Sequence, residues 1–157
     1  MKKLILFIAL SITTLPLTVS VLTEDQILSI EASKQRRIEE TCMAKALYYE
    51  AGNQPVEGIR AVYEVIRNRA EKKNTSWCRV ISERKQFSFL NSGKISLYSD
   101  LKKDEKKLFD AVKSLDNVLS NDVLFYHATY VKPAWSKKMV VDKRIGQHIF
   151  YKLREKK

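Results

Sequence analysis

Histidine and cysteine are scarce in this 157-residue sequence, which has two of each. The histidines are His127 and His148, the cysteines are Cys42 and Cys78, and no CxxC or HxxxH spacing occurs. A catalytic zinc site needs three protein ligands and an open position, which this set supplies poorly. We therefore expect no metal and no other cofactor.

Acidic residues are also few: 18 Asp and Glu stand against 29 Lys and Arg, a formal net charge of +11. Such a surface favours a polyanionic partner, unless the excess lysine is simply solvated surface. Nucleic acid is the usual first candidate, but Gly-aromatic RNA-binding motifs are absent and the N-terminus indicates export. A cell wall is the other candidate, because its stem peptides carry free carboxylates.

Internal repeats and low-complexity stretches are absent too. The length fits a single domain with one core, and the apolar fraction of 45% is ordinary for a globular protein. We expect a monomer.

The N-terminus has the order of a secretory signal, with Lys2 and Lys3 before the apolar residues 4–10 and small residues near position 20. Residues 1–22 are therefore predicted to be a signal peptide, or a signal anchor if the segment is retained. Residues 23–37 are a linker or peripheral helix, and residues 38–157 the main domain. We expect export to the periplasm or cell envelope, with transient membrane association, or tethering to the inner membrane before release, through this N-terminal segment.

In an oxidising compartment the pair Cys42 and Cys78 is expected to form a disulfide. It would close a loop of 37 residues counted from 42 to 78. Two free buried thiols remain the alternative.

The chain pattern predicts helices first and a small antiparallel sheet afterwards, which is an α+β architecture. The predicted elements are helices at 38–51, 55–72 and about 102–119, a short element at 77–81, and strands at 123–127, 139–141 and within 145–151.

Glu50 lies where a charge is costly. At 100° per residue it shares a face with Met43, Ala46 and Leu47, and it is in the last turn before Gly52. Burial and the negative end of the helix dipole both raise a carboxyl pKa, as a glycosidic general acid requires. The alternatives are an ion pair with a core Lys or Arg, or a cap on the loop at Gly52.

Five motifs in order resemble the SleB-like cell wall hydrolases, a family that includes spore-cortex lytic enzymes and phage lytic enzymes. They cover about residues 38–152: a helix ending at Glu50-Ala51 and a second helix with an Ala-Val pair, Asn68-Arg69, Gln86-Phe87-Ser88, the stretch from Tyr126-His127 to Trp135, and Ile145-Gly146-Gln147-His148-Ile149-Phe150-Tyr151. The sequence departs from the family at Gly52 and Gln54, where the family has Arg and Glu.

The resemblance implies a lysozyme-like or lytic-transglycosylase-like fold, with a helical body, a small antiparallel sheet and a substrate cleft. It implies cleavage of peptidoglycan glycan strands at the β-1,4 bond between N-acetylmuramic acid and N-acetylglucosamine, with Glu50 catalytic. No second acid stands out, which favours lytic transglycosylation. Hydrolysis by a muramidase and non-catalytic peptidoglycan binding are the alternatives.

The remaining candidate residues are expected to bind substrate through stacking on sugar rings or hydrogen bonds to sugar groups. For each, a purely structural role is the competing interpretation. They are Gln86, Phe87, Tyr126, His127, His148 and Tyr151.

Overall fold

The computed structural model describes residues 22–83 and 86–154. The predicted leader, residues 1–22, lies outside this part of the chain except for its last residue. Within the described ranges, no helix combines the length and the apolar character that crossing a membrane requires.

Helix α1 (Glu24–Ala51) is continuous across the predicted boundary between the linker or peripheral helix, residues 23–37, and the main domain. Its start is fixed by a capping box, in which the Thr23 hydroxyl accepts the Gln26 N–H and the Gln26 side chain accepts the Thr23 N–H. Residues 22–37 are exposed, whereas residues 42–47 are buried. The second half of α1 therefore forms the centre of the domain, and the first half projects from it.

Helices α2 (Val56–Lys73) and α3 (Trp77–Ile81) pack against α1. The stripe predicted for α2 is buried, namely Ile59, Val62, Tyr63 and Ile66. The predicted disulfide is present between Cys42 of α1 and Cys78 of α3, whose Cα atoms are 5.3 Å apart. These three helices form the helical body.

Helix α4 (Lys103–Val112) is shorter than the prediction of 102–119. The predicted C-terminal end of the helix is wrong because Arg60 binds the backbone carbonyls there. The buried Arg60 guanidinium donates to the carbonyl oxygens of Val112 and Lys113, each at 3.0 Å. The helix stops where this side chain replaces further helical hydrogen bonds.

Glu64 binds the backbone of the residues that follow α4. Its carboxylate accepts the backbone N–H groups of Val118 and Leu119 at 3.0 and 2.8 Å and pairs with Arg60 at 2.8 Å. Glu64 is fully buried, and an unpaired charge at such a depth is strongly destabilising. The Arg60–Glu64 pair thus sets the path of residues 112–119.

The sheet follows as predicted, with strands β1 (Val123–Ala128), β2 (Met139–Ile145) and β3 (His148–Leu153). Both pairings are antiparallel and the order is β1-β3-β2, so that β3 is central. Asn68 of α2 donates to the carbonyls of Ser120 and Val123 at 3.2 and 3.1 Å, which attaches the start of β1 to the helical body. The predicted α+β architecture is confirmed.

The β2–β3 turn is held against the loop between α1 and α2. Gly146 has φ +54°, and a Cβ there would lie 2.5 Å from Oε1 of Gln54. That oxygen accepts the N–H of Gln147 at 2.8 Å. Gln54, one of the two departures from the family pattern, therefore joins the sheet to the end of α1.

Candidate active site

A cleft of about 1120 Å³ lies between the helical body and the sheet. It is bordered by the ends of α1 and α2, by Glu83, Gln86 and Ser88, and by β1. A smaller groove of about 300 Å³ adjoins the cleft and runs along the α1–α2 loop. The two spaces share five lining residues, which are Tyr49, Glu50, Ala128, Tyr130 and His148. An extended polymer crossing from one space to the other would pass over Glu50.

Glu50 is half-buried at the junction of the two spaces. Its Oε1 accepts the backbone N–H of Ser88 at 3.0 Å and the Ser88 hydroxyl at 3.4 Å. In the described part of the chain it has no ion pair, so the alternative of a core Lys or Arg partner finds no support there. It accepts from Ser88 and not from the loop at Gly52.

Burial raises the pKa of the Glu50 carboxyl above its usual value of 4.5. The Ser88 N–H and hydroxyl and the Phe89 N–H oppose this rise, since they stabilise the ionised form. Desolvation is the larger effect. Glu50 is thus an acid that holds its proton more tightly than in water and retains hydrogen-bond donors for the carboxylate.

The Ser88 N–H is aimed at Glu50 by a short 3-10 helix, Ser88–Ser92. Phe87, just before it, is 1% exposed and packs edge-on against Phe89, with ring centroids 6.2 Å apart. Phe89 in turn stacks on Tyr49 at 5.2 Å. Phe87 does not line the cleft; it anchors the segment that carries the donor.

Tyr126 lies on β1 and faces the cleft. Burial, and to a lesser extent the negative field of Glu50, raise the pKa of its phenol, while Arg69 opposes this. Tyr126 therefore remains a neutral hydroxyl that can donate or accept a hydrogen bond.

His127 and Tyr151 satisfy one another. The Nδ1 of His127 lies 2.9 Å from the Ala128 carbonyl, which requires a proton on Nδ1, so Nε2 accepts from the Tyr151 hydroxyl at 2.8 Å. The rings stack at 5.1 Å, with Trp135 edge-on to both. His127 lines the cleft, but Tyr151 is 5% exposed and lies behind it.

His148 is buried at the junction where Glu50 also lies, and one of its ring nitrogens lacks a hydrogen bond among the described residues. It is 7% exposed, lines both spaces, and its Nδ1 has no hydrogen-bond partner among the described residues. Burial, followed by the field of His127, lowers the pKa of this imidazole. A buried polar atom without a partner costs roughly 1–3 kcal/mol.

The structure thus brings Glu50, Gln86, Tyr126, His127 and His148 to one cleft. Phe87 and Tyr151 lie behind its surface as supports. Among the described residues, no cluster of three or more His, Cys, Asp or Glu side chains is arranged to hold a metal ion.

Ser88 and Arg69 were not among the residues predicted to form the site, although both stand within the motifs shared with the family. Arg69 donates to the Leu124 carbonyl at 2.6 Å and to the Gln86 side-chain oxygen at 3.0 Å. It therefore fixes the Gln86 amide at the edge of the cleft. The motif was visible in the sequence, but these contacts span 17 and 55 residues.

The sequence profile of the Cell Wall Hydrolase family matches residues 53–151. Two solved structures resemble the chain. One is the catalytic domain of the germination-specific lytic transglycosylase SleB from Bacillus anthracis, 29% identical, with a TM-score of 0.61, covering 73% of this chain and 94% of that one. The other is the catalytic domain of the Bacillus cereus SleB protein, 31% identical, with a TM-score of 0.60, covering 74% and 91%. No curated protein matches.

The profile match begins three residues after Glu50. The profile match therefore shows the family, whereas the assignment of Glu50 depends on the geometry described above.

Proposed function

The chain belongs to the cell wall hydrolase family, and we propose from this that it cleaves peptidoglycan glycan strands at the β-1,4 bond between N-acetylmuramic acid and N-acetylglucosamine. Glu50 is the catalytic acid and the reaction is lytic transglycosylation. The observation that carries the proposal is a half-buried carboxyl of raised pKa at the junction of two connected clefts.

In the first step Glu50 donates its proton to the glycosidic oxygen as the C1–O bond of the muramic acid breaks. The transition state resembles an oxocarbenium ion. The Glu50 carboxylate that results is stabilised by the Ser88 N–H already in place at 3.0 Å. A donor that is positioned beforehand needs no reorganisation during the reaction.

In the second step the carboxylate takes a proton from the 6-hydroxyl of the same muramic acid, whose oxygen then bonds to C1. The product is a 1,6-anhydro end, and Glu50 returns to its protonated form. One acid is enough for this cycle, because it first donates a proton and then accepts one.

The composition of the cleft supports a single-acid route. A two-carboxylate glycosidase needs a second acid about 5–10 Å from the first. Among the described residues that line the large cleft, Glu83 is the other carboxylate, and it is ion-paired with Lys73. The resemblance to a protein described as a lytic transglycosylase supports the same reaction.

The cleft walls offer groups suited to sugars. Tyr126 presents its ring and its hydroxyl, His127 presents its ring, and His148 lines both the large cleft and the smaller groove. Gln86 presents an amide whose oxygen is already occupied by Arg69, which leaves its NH₂ group to donate. Hydroxyl and N-acetyl groups of the substrate are the natural partners of such atoms.

The test is digestion of purified sacculi followed by mass spectrometry of the products. Wild type is expected to release fragments with anhydro-muramic ends, and Glu50→Gln to release none. Glu31→Gln is the matched control, since it makes the same change on the exposed half of α1. Full activity in Glu50→Gln would refute the assignment of the acid, and reducing ends in place of anhydro ends would identify a hydrolase.

The proposal extends to location and assembly. The disulfide between Cys42 and Cys78 supports an exported protein, because such bonds persist in oxidising compartments. We place the protein in the periplasm or cell envelope as a monomer, with membrane contact through the N-terminal segment. Fractionation of cells that express the protein with or without residues 1–22 tests this location. Recovery of the intact chain in the cytosol would contradict it.

A further inference from the structure

The large cleft carries its positive charge where the C-terminal end of α2 borders it. Arg69, Lys72 and Lys73 are spaced i, i+3 and i+4 on the last turns of α2, and all three line the cleft. At this spacing they lie on one face of the helix. Glu83 pairs with Lys73 and offsets one of the three charges. We call Arg69, Lys72 and Lys73 the basic end of the cleft.

Two of these cations are held in place and one is available. Arg69 is fixed by its bonds to the Leu124 carbonyl and the Gln86 side chain, and Lys73 by Glu83. Lys72 is exposed at the cleft, and no ion pair or hydrogen bond engages it among residues 22–83 and 86–154. The basic end therefore combines a rigid guanidinium with an unengaged ammonium, an arrangement suited to a carboxylate.

Resting on the proposed function, we propose that the basic end binds a free carboxylate of the peptidoglycan stem peptide, so that the protein prefers glycan strands whose peptides are still attached. The stem peptide hangs from the lactyl group of the muramic acid, the sugar whose C1 lies at Glu50. The same cleft would thus hold the scissile bond and the peptide.

The size of the cleft permits this arrangement. Its volume of about 1120 Å³ equals that of a cube with edges of roughly 10 Å. An extended chain covers about 3.3–3.6 Å per residue, so two or three residues of a stem peptide cross it. Free carboxylates occur within that length of the peptide.

A purely structural role for these lysines predicts something different. Lys72 and Lys73 are in the last turn of α2, where cations interact favourably with the helix dipole. Loss of that interaction would change the stability of the protein. It would change the affinity for bare and for peptide-bearing glycan strands by the same factor. Substrate preference separates the two roles.

The experiment measures binding in the full-length Glu50→Gln protein, so that the ligand is not consumed. The probes are uncrosslinked glycan strands that carry their stem peptides, and the same strands after an N-acetylmuramoyl-L-alanine amidase has removed them. We expect tighter binding to the peptide-bearing strands. Adding Lys72→Glu is expected to weaken that binding about fivefold and to leave binding to bare strands unchanged.

The matched control is Lys107→Glu on the exposed surface of α4, which makes the same charge change away from the cleft. It is expected to leave both affinities unchanged. Lys72→Gln removes the charge without reversing it and is expected to have the same effect in a smaller measure.

Equal affinity of the Glu50→Gln protein for both kinds of strand would overturn the proposal. So would an equal loss on both strands in Lys72→Glu, or an equal loss in Lys107→Glu, which would indicate general charge attraction. The measurement does not depend on turnover, so an inactive wild type would refute the proposed function separately and leave this result readable.

Discussion

Reduction of the Cys42–Cys78 disulfide is expected to destabilise the protein strongly. The bond joins residues 36 positions apart. In the chain-entropy treatment, closing a loop of this length lowers the entropy of the unfolded chain enough to stabilise the native state by about 4 kcal/mol at 25 °C. For a domain of this size that corresponds to a fall in Tm of roughly 10–20 °C.

The loop that the bond closes contains most of the helical body and Glu50 itself. The bond attaches α3 to the buried second half of α1, and both cysteines are buried, with 0% and 5% exposure. Reduction leaves the two sulfur atoms in the core, so the packing loss is small and the measured change reports mainly the cross-link.

The assay is calorimetry of the same protein with and without a reductant, with free thiols counted after unfolding. Cys42→Ala/Cys78→Ala is the control, since its Tm must not respond to reductant. A fall of less than about 3 °C in the fully reduced wild type would refute the loop-entropy reasoning. It would mean that the contacts of α3 with α1 and α2 hold the unit together without the bond.

Two further predictions concern single residues. Because the folded pKa of Glu50 is raised above 4.5, its ionisation opposes folding as the pH rises through that pKa. Glu50→Gln is therefore expected to be more stable than wild type at pH 7 and no more stable below pH 4, as denaturant titrations at both pH values would measure; an equal difference at both would contradict the raised pKa. Gly146→Ala places a Cβ at φ +54° and 2.5 Å from Gln54 Oε1, so we expect a loss of about 1–3 kcal/mol in the free energy of unfolding, and an unchanged value would contradict the strained turn.

Most of the secondary structure could be predicted from the sequence, because the signals for helices and strands are local. Pro55 and Asn74 enclose α2, and its apolar stripe has helical spacing. The end of α4 was not readable. Leu115, Val118 and Leu119 continue the helical pattern, but Arg60 and Glu64, more than 50 residues away, take the backbone groups that a longer helix would use.

The residues of the candidate site likewise fall into those whose placement the sequence predicted and those whose placement it did not. Glu50 stood out as an acid on an apolar face, and Gln86, Tyr126, His127 and His148 do reach the cleft. Phe87 and Tyr151 come from the same motifs but lie behind it, because the Phe87 ring packs against Phe89 and the Tyr151 side chain bonds to and stacks on His127. A motif indicates which segments meet but not which side chains face the ligand.

The sequence by itself determined the family, the order of helices and strands, the pairing of two cysteines and the one acid in an apolar stripe. These features depend on spacing along the chain, and spacing needs no tertiary contact to be read. Only the folded structure decided that Ser88 donates to Glu50, that Arg69 holds Gln86 and that α2 turns its lysines toward the cleft. Those contacts join residues far apart in sequence, and their geometry exists only after the helices and the sheet have packed around a common core.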